Sequence, residues 1–294
     1  MAVVNRHVAA ADGTRIFAAL HGGGTGTPLL CLAGLTRNGR DFAPVVERFA
    51  GTRAVLTVDF RGRGLSDAAT DPLTYRPDVE LADTLAVLAA FGLQRVALLG
   101  TSRGGIVGMI MAAQAPDLLA GLCLNDIGPR IEPEGLLRIM GYVGVDVSFP
   151  DWDAAARAYA ATAPGFTGVS HTQWKAAAHR AYQQRDDGRI APHYDMKLAA
   201  TLPAREDVAS DKTPELWPLL PALAGKPVTC IRGDGSDLLS HATIDRLCTE
   251  LPHVEAVEIA GRGHVPFLDE PDSIAGLERW LARVDAQEKG RAAG

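Results

Sequence analysis

Ten residues constrain this chain more than any other stretch. Val96-Ala97-Leu98-Leu99 is an apolar run of strand length that stops at Gly100. A single serine follows at Ser102, and after Gly104 and Gly105 an apolar run from Ile106 to Ala113 is long enough for helix. A strand that turns into a helix over so few residues needs a sharp, strained turn with no room for side chains on either side, which the Gly-x-Ser-x-Gly spacing supplies. Ser102 then stands clear of the sheet at a helix N-terminus, where N–H groups and the helix dipole favour developing negative charge. A turn bracketed by glycines around an inert serine would leave the same pattern, so the hydroxyl needs partners from elsewhere in the chain.

Composition bounds what those partners can be doing. At 294 residues, 47% hydrophobic and 22% charged, the chain has the core of one large α/β domain with room for an inserted subdomain. A net charge of −6 argues against nucleic-acid and anionic-membrane partners, both of which need basic patches. No apolar run approaches the roughly 18 residues of a membrane span, and Met1-Ala2-Val3-Val4-Asn5-Arg6 is no secretory leader, so a cytoplasmic protein acting on a small molecule is expected. Cys31, Cys123 and Cys230 sit in apolar runs and read as buried packing residues, with Cys248 set apart. No C-x-x-C, H-E-x-x-H, P-loop or G-x-G-x-x-G pattern is present, and neither cofactor nor metal is expected.

Along the chain, strand-like and helix-like segments alternate. Asp12-Gly13 between two alternating runs predicts a hairpin. The glycines of Gly22–Gly26 read as a linker, because a strand (Pro28–Leu32) follows them where a phosphate loop would need a helix. Strands are predicted over 54–60, 96–100 and 122–125, with helices near 41–50 and over 78–91. Continuous apolar strands alternating with helices give a mostly parallel sheet covered on both faces. Between Arg130 and Thr213 strand signals vanish and helices are predicted near 134–143, 152–162, 171–184 and 194–202. This reads as a helical insertion over the C-terminal ends of the strands, dividing the chain into a core of 1–129 and 214–294 and a cap of 130–213. Strands then return at 227–231 and 254–259, a helix closes the fold over 273–284, and 285–294 reads as a frayed tail.

Three strand ends carry the chemistry, in the order Ser102, an aspartate, His264. Ligands of open parallel sheets bind at the carboxyl ends of strands, so these loops can share one crevice. A serine hydroxyl at neutral pH needs a base near pKa 7, and that base needs a carboxylate to fix its tautomer. His264, just past the last strand between Gly263 and Pro266, is the best placed of eight histidines. Asp234 and Asp237 follow the strand at 227–231, and Asp126 follows that at 122–125.

At this point the chain resembles the α/β-hydrolase superfamily, over nearly its whole length. The pieces are Ala33-Gly34-Leu35, Asp59-Phe60-Arg61-Gly62-Arg63-Gly64-Leu65-Ser66, Gly100-Thr101-Ser102-Arg103-Gly104-Gly105, Gly233-Asp234-Gly235-Ser236-Asp237 and Gly263-His264. The resemblance implies an eight-stranded, mostly parallel sheet with helices on both faces and an inserted helical cap. It implies Ser102 as nucleophile, His264 as general base, and the amides of Leu35 and Arg103 as the oxyanion hole. Members commonly place the acid three or four residues beyond the strand-ending glycine, which favours Asp237 over Asp234 and Asp126. Ala33 departs from the histidine many members carry before that glycine. Of the flanking groups, Arg103 is expected to pair with a carboxylate, Arg63 and Asp59 to anchor loops, and Thr36, Arg37 and Asn38 to border the site; Trp152 and Trp174 are candidate pocket aromatics. The implied activity is hydrolysis of a small ester or lactone through an acyl-enzyme. Carbon–carbon bond hydrolysis of a β-diketone or vinylogous substrate, and a ligand-binding member without chemistry, are the alternatives. A serine at the elbow argues against dehalogenase and epoxide hydrolase chemistry, which resemble this fold but use an aspartate.

Overall fold

A computed structural model describes residues 2–293, apart from the Ala292 side chain. The chain starts in the hairpin that Asp12-Gly13 predicts, β1 (Val3–Ala9) against β2 (Arg15–Gly22). It continues through β3 (Leu29–Leu32), α1 (Ala43–Phe49), β4 (Ala54–Val58), α2 (Pro77–Ala90), β5 (Val96–Thr101), α3 (Arg103–Gln114) and β6 (Leu119–Asn125). Every residue of β3, β5 and β6 is buried, as strands covered on both faces require.

The segment beyond Arg130 adds no strand to that sheet. It holds α4 (Pro133–Met140), α5 (Trp152–Ala161) and α6 (His171–Ala181), then a small hairpin of β7 (Tyr182–Gln184) and β8 (Ile190–Pro192), a 3-10 turn over Met196–Thr201 and the short α7 (Arg205–Ala209). The hairpin corrects the helix expected over 171–184, whose last three residues pair with Ile190–Pro192 instead. Asp187-Gly188, with Gly188 at φ +82°, is the turn signal that separates the two short strands. The two ends of the segment leave the sheet together: Leu216 N–H donates to Pro129 O (2.7 Å), and Arg130 pairs with Asp211 and Glu215.

The chain then returns through β9 (Val228–Gly233), α8 (His241–Glu250), β10 (Glu255–Ile259) and α9 (Pro271–Ala293). The frayed tail expected from Asp285 is helix as far as Ala293. Burial of Leu277, Trp280, Leu281 and Val284 seats α9, and beyond them Asp285 pairs with buried Arg53 (2.9 Å) and Glu288 with Arg95 (2.7 Å).

The eight strands lie in the order β1-β2-β4-β3-β5-β6-β9-β10, with β2 antiparallel to both its neighbours and the other pairs parallel. One apolar cluster fills each face of the sheet. Between β3 and β5 the strand order reverses, and the register sets Leu32 against Gly100, so the loops after these strands emerge side by side. Thr101 against Asn125 and Asn125 against Ile231 bring the loops after β6 and β9 to the same edge.

Candidate active site

Ser102 sits at the turn from β5 to α3 with φ +49° and ψ −112°, a conformation that costs an L-residue energy and persists only where its surroundings enforce it. The surroundings do so. Ser102 N–H donates to Asn125 O (3.0 Å), and Ser102 O accepts from Gly105 N (2.9 Å). A Cβ on Gly104 would lie 2.0 Å from Leu32 O, and one on Gly100 would lie 2.5 Å from the Gly104 carbonyl carbon, so neither position admits a side chain.

His264, in the loop after β10, has Nε2 3.1 Å from Ser102 Oγ and Nδ1 2.8 Å from Asp126 Oδ2. With the imidazole neutral, Nδ1–H donates to the carboxylate and Nε2 is left to accept from the serine hydroxyl. Asp126 has no exposed surface, and its oxygens also accept from Ser236 Oγ (2.6 Å) and Gly233 N (2.8 Å).

The carboxylate on His264 is therefore Asp126, which corrects the expectation of Asp237. Ser236 N–H bonds back to Gly233 O (3.0 Å), a turn that faces the Ser236 hydroxyl toward Asp126. Asp237 sits under α4, its carboxylate bonded twice by Arg138 (2.5 and 2.8 Å) and its carbonyl accepting from Gly135 N (3.2 Å). Burial pulls the Asp237 carboxyl up, but the hydrogen bonds and charge of Arg138 outweigh it and hold it below the usual carboxylate range. Asp234 is a turn residue, accepting from Arg262 N (3.2 Å). Asp126 has the same strand-end position as its rivals; what distinguishes it is φ +54°, which swings its side chain under the histidine.

Gly34 and Leu35 lie beside the serine: a Cβ on Gly34 would be 3.7 Å from Ser102 Cβ. Among the described residues, the amides of Leu35 and Arg103 are committed to no backbone carbonyl, and the latter opens α3, where N–H groups are left over. A buried ion group ties the two segments together. Arg63 Nε donates to Leu35 O (2.8 Å), its other end meets Glu80 (2.8 Å), and Arg103 approaches the second Glu80 oxygen at 3.8 Å. Arg63 and Glu80 side chains are both 0% exposed. Asp59 anchors its loop by accepting from Gly39 N (2.6 Å) and Leu65 N (2.9 Å).

A cavity of about 380 Å³ opens over Ser102 and His264, walled mainly by apolar and aromatic side chains. Thr36 and Arg37 line it, whereas Asn38 is buried behind the wall with Nδ2 on Arg180 O (3.2 Å). The aromatics facing the cavity are Tyr142, Phe149, Tyr159, Tyr182, Tyr194 and Phe267. The two tryptophans do other work: Trp152 stacks on His179 (3.8 Å between centroids), and Trp174 packs among Ala177, Ala178 and Phe267. The tyrosines lay among the loops and helix ends of 130–213, where no periodic signal marks them as wall residues. Among the described residues no group of three His, Cys, Asp or Glu side chains is arranged to hold a metal ion.

Three comparisons with known proteins bear on this site. The model of the alpha/beta hydrolase family matches residues 19–277. The chain is 33% identical over 254 residues to the 3-hydroxybutyrate-oligomer hydrolase of Cupriavidus necator, a match spanning 84% of this chain and 85% of that protein. It is 29% identical to the pimeloyl-[acyl-carrier protein] methyl ester esterase of Xanthomonas campestris pv. campestris, across 89% of this chain and 97% of that one. Among solved structures, an alpha/beta hydrolase from Novosphingobium aromaticivorans matches with a TM-score of 0.88 at 42% identity, covering 96% of this chain and 99% of that one.

Proposed function

The chain belongs to the alpha/beta hydrolase family, and on that footing we propose that it is a serine hydrolase that splits small carboxylic esters through an acyl-enzyme on Ser102. The observation that carries this reading is the unbroken chain from Ser102 Oγ through His264 to buried Asp126, at 3.1 and 2.8 Å. As Ser102 Oγ attacks the ester carbon, His264 Nε2 takes its proton, and Asp126 holds the imidazole in the accepting tautomer and stabilises the imidazolium. The Leu35 and Arg103 amides donate to the oxygen on which charge develops, and the Arg63–Glu80–Arg103 group behind them keeps both peptides in place. Collapse of the adduct breaks the ester C–O bond, with His264 returning the proton to the departing alcohol. Water then repeats the attack on the acyl-serine, His264 again taking and returning one proton, and the free acid leaves. In this reading residues 130–213 form a cap whose inner surface is the cavity wall.

An ester is the substrate bond best supported: one relative is named for a methyl ester and another for an oligomer of a hydroxy acid. The test is a rapid-mix experiment with 4-nitrophenyl butyrate. A burst of 4-nitrophenol approaching one equivalent per chain, with a butyryl mass adduct on the peptide containing Ser102, is expected. Steady turnover that persists in Ser102→Ala would overturn the reading.

A further inference from the structure

Three arginines reach the cavity over Ser102: Arg37, Arg138 and Arg180. Two already have carboxylate partners, Arg37 in Asp41 (2.8 Å) and Arg138 in Asp237 (2.8 Å). Arg180, in the last turn of α6, differs from both. Among the described residues no carboxylate oxygen lies within 4.0 Å of its guanidinium and its side chain makes no hydrogen bond, while its backbone carbonyl accepts from Asn38 Nδ2 (3.2 Å). Asp269 feels its charge but stays beyond that distance.

The side chain is nevertheless held. Its Cζ lies 5.7 Å from the centroid of the Phe267 ring, and Phe267 is braced by Phe166 (5.1 Å) and Trp174 (5.5 Å). Asn38 fixes the backbone end of the same residue to the loop that carries Leu35. A guanidinium steadied on an aromatic face, half-buried in a largely apolar chamber and with no carboxylate in contact, is a preorganised fork for an anion. The neighbouring arginines do not compete for that anion, because Asp41 and Asp237 already occupy their forks.

We propose that Arg180 binds a carboxylate belonging to the substrate, so that the preferred esters are half-acids: one end presents the scissile carbonyl to Ser102 and the other a free carboxylate to Arg180. This rests on the serine hydrolase reading, and it names the class of ester. Arg180 is a specificity residue under this proposal, with no part in proton transfer.

Binding measured without turnover separates the two ideas. Ser102→Ala protein is titrated by calorimetry with 3-(butyryloxy)butyrate and with its primary carboxamide, which place the charge on the alcohol part. It is titrated in parallel with monomethyl adipate and monomethyl adipamate, which place it on the acyl part. In at least one pair the carboxylate is expected to bind about ten- to hundredfold tighter than the amide, the range of one charge-assisted bidentate contact. Adding Arg180→Met should bring that ratio to within about twofold, and Arg180→Lys should restore part of it, as a point charge without the fork would. Equal binding of acid and amide in both pairs overturns the proposal. So does a ratio that survives Arg180→Met, or one lost equally in Asp269→Asn, which would make Arg180 a distant structural counter-ion. Failure of the underlying reading shows up separately, as turnover of 4-nitrophenyl butyrate by Ser102→Ala.

Discussion

Replacing Asp126 by asparagine should disarm the site while leaving its shape nearly intact, and the geometry dictates how. Oδ1 accepts from the Gly233 N–H (2.8 Å), a donor that cannot rotate, so the amide oxygen must stay there. The NH2 group then takes the place of Oδ2, facing Ser236 Oγ and His264 Nδ1. Ser236 can turn its hydroxyl to accept, but His264 can accept only by moving its proton to Nε2, which points that proton at Ser102 and removes the base. Loss of the correct tautomer in a triad of this kind lowers kcat by about 10⁴, equivalent to about 5 kcal/mol of barrier. The assay is steady-state hydrolysis of 4-nitrophenyl butyrate by wild type, Asp126→Asn and Asp237→Asn. Asp126→Asn is expected to lose about 10³–10⁴ in kcat with KM changed only a few-fold, and Asp237→Asn to stay within about tenfold, since its carboxylate serves Arg138. An Asp126→Asn enzyme within tenfold of wild type, or an Asp237→Asn enzyme equally impaired, would refute the reasoning.

Three further outcomes follow from the same contacts. Gly104→Ala puts a methyl group 2.0 Å from Leu32 O, a backbone atom that cannot yield, and should destabilise the fold by about 3 kcal/mol or more in urea titrations; a loss under 1 kcal/mol contradicts the packing of the elbow. Glu80→Gln leaves the buried Arg63 guanidinium without a counter-charge and should destabilise by about 3–5 kcal/mol while lowering kcat more than it raises KM; unchanged thermal stability contradicts the buried pair. His193 is held down to about 4 by burial and by the neighbouring charge of Arg40, so between that value and its ordinary 6.5 the unfolded chain binds a proton that the native one does not. Stability should therefore fall as pH drops from 7 to 4.5, by on the order of 2 kcal/mol from this residue after solvent screening, and His193→Gln should flatten that part of the profile.

The sheet and two of the three site side chains were legible because their signals are local. Apolar runs of strand length fixed β3, β5 and β6, and Ser102 and His264 are marked by the glycines around them. The carboxylate partner of His264 was not legible, because three aspartates share the same strand-end setting and the choice among them lies in long-range partners. Arg138, 99 residues before Asp237, claims that carboxylate, and the positive φ of Asp126 turns its own toward His264. The same cause hid the end of α9, where Asp285 and Glu288 are tied to Arg53 and Arg95 from the far side of the chain. The β7–β8 hairpin escaped because three-residue strands are too short to show alternation, leaving Asp187-Gly188 as their sole mark. Cavity aromatics could not be ranked from sequence, since facing the chamber or the interior of the 130–213 segment depends on how α5 and α6 pack. That packing turned Tyr159 inward and buried Trp174.

The central claim is that Ser102 is an activated nucleophile, and a fluorophosphonate probe tests it most directly, since such reagents phosphonylate a serine only where a base withdraws its proton. Intact-mass measurement should show one probe per wild-type chain, mapped to Ser102, with no labelling of Ser102→Ala and slow labelling of Asp126→Asn. A folded wild-type protein that stays unlabelled, or a label found on another residue, would contradict it.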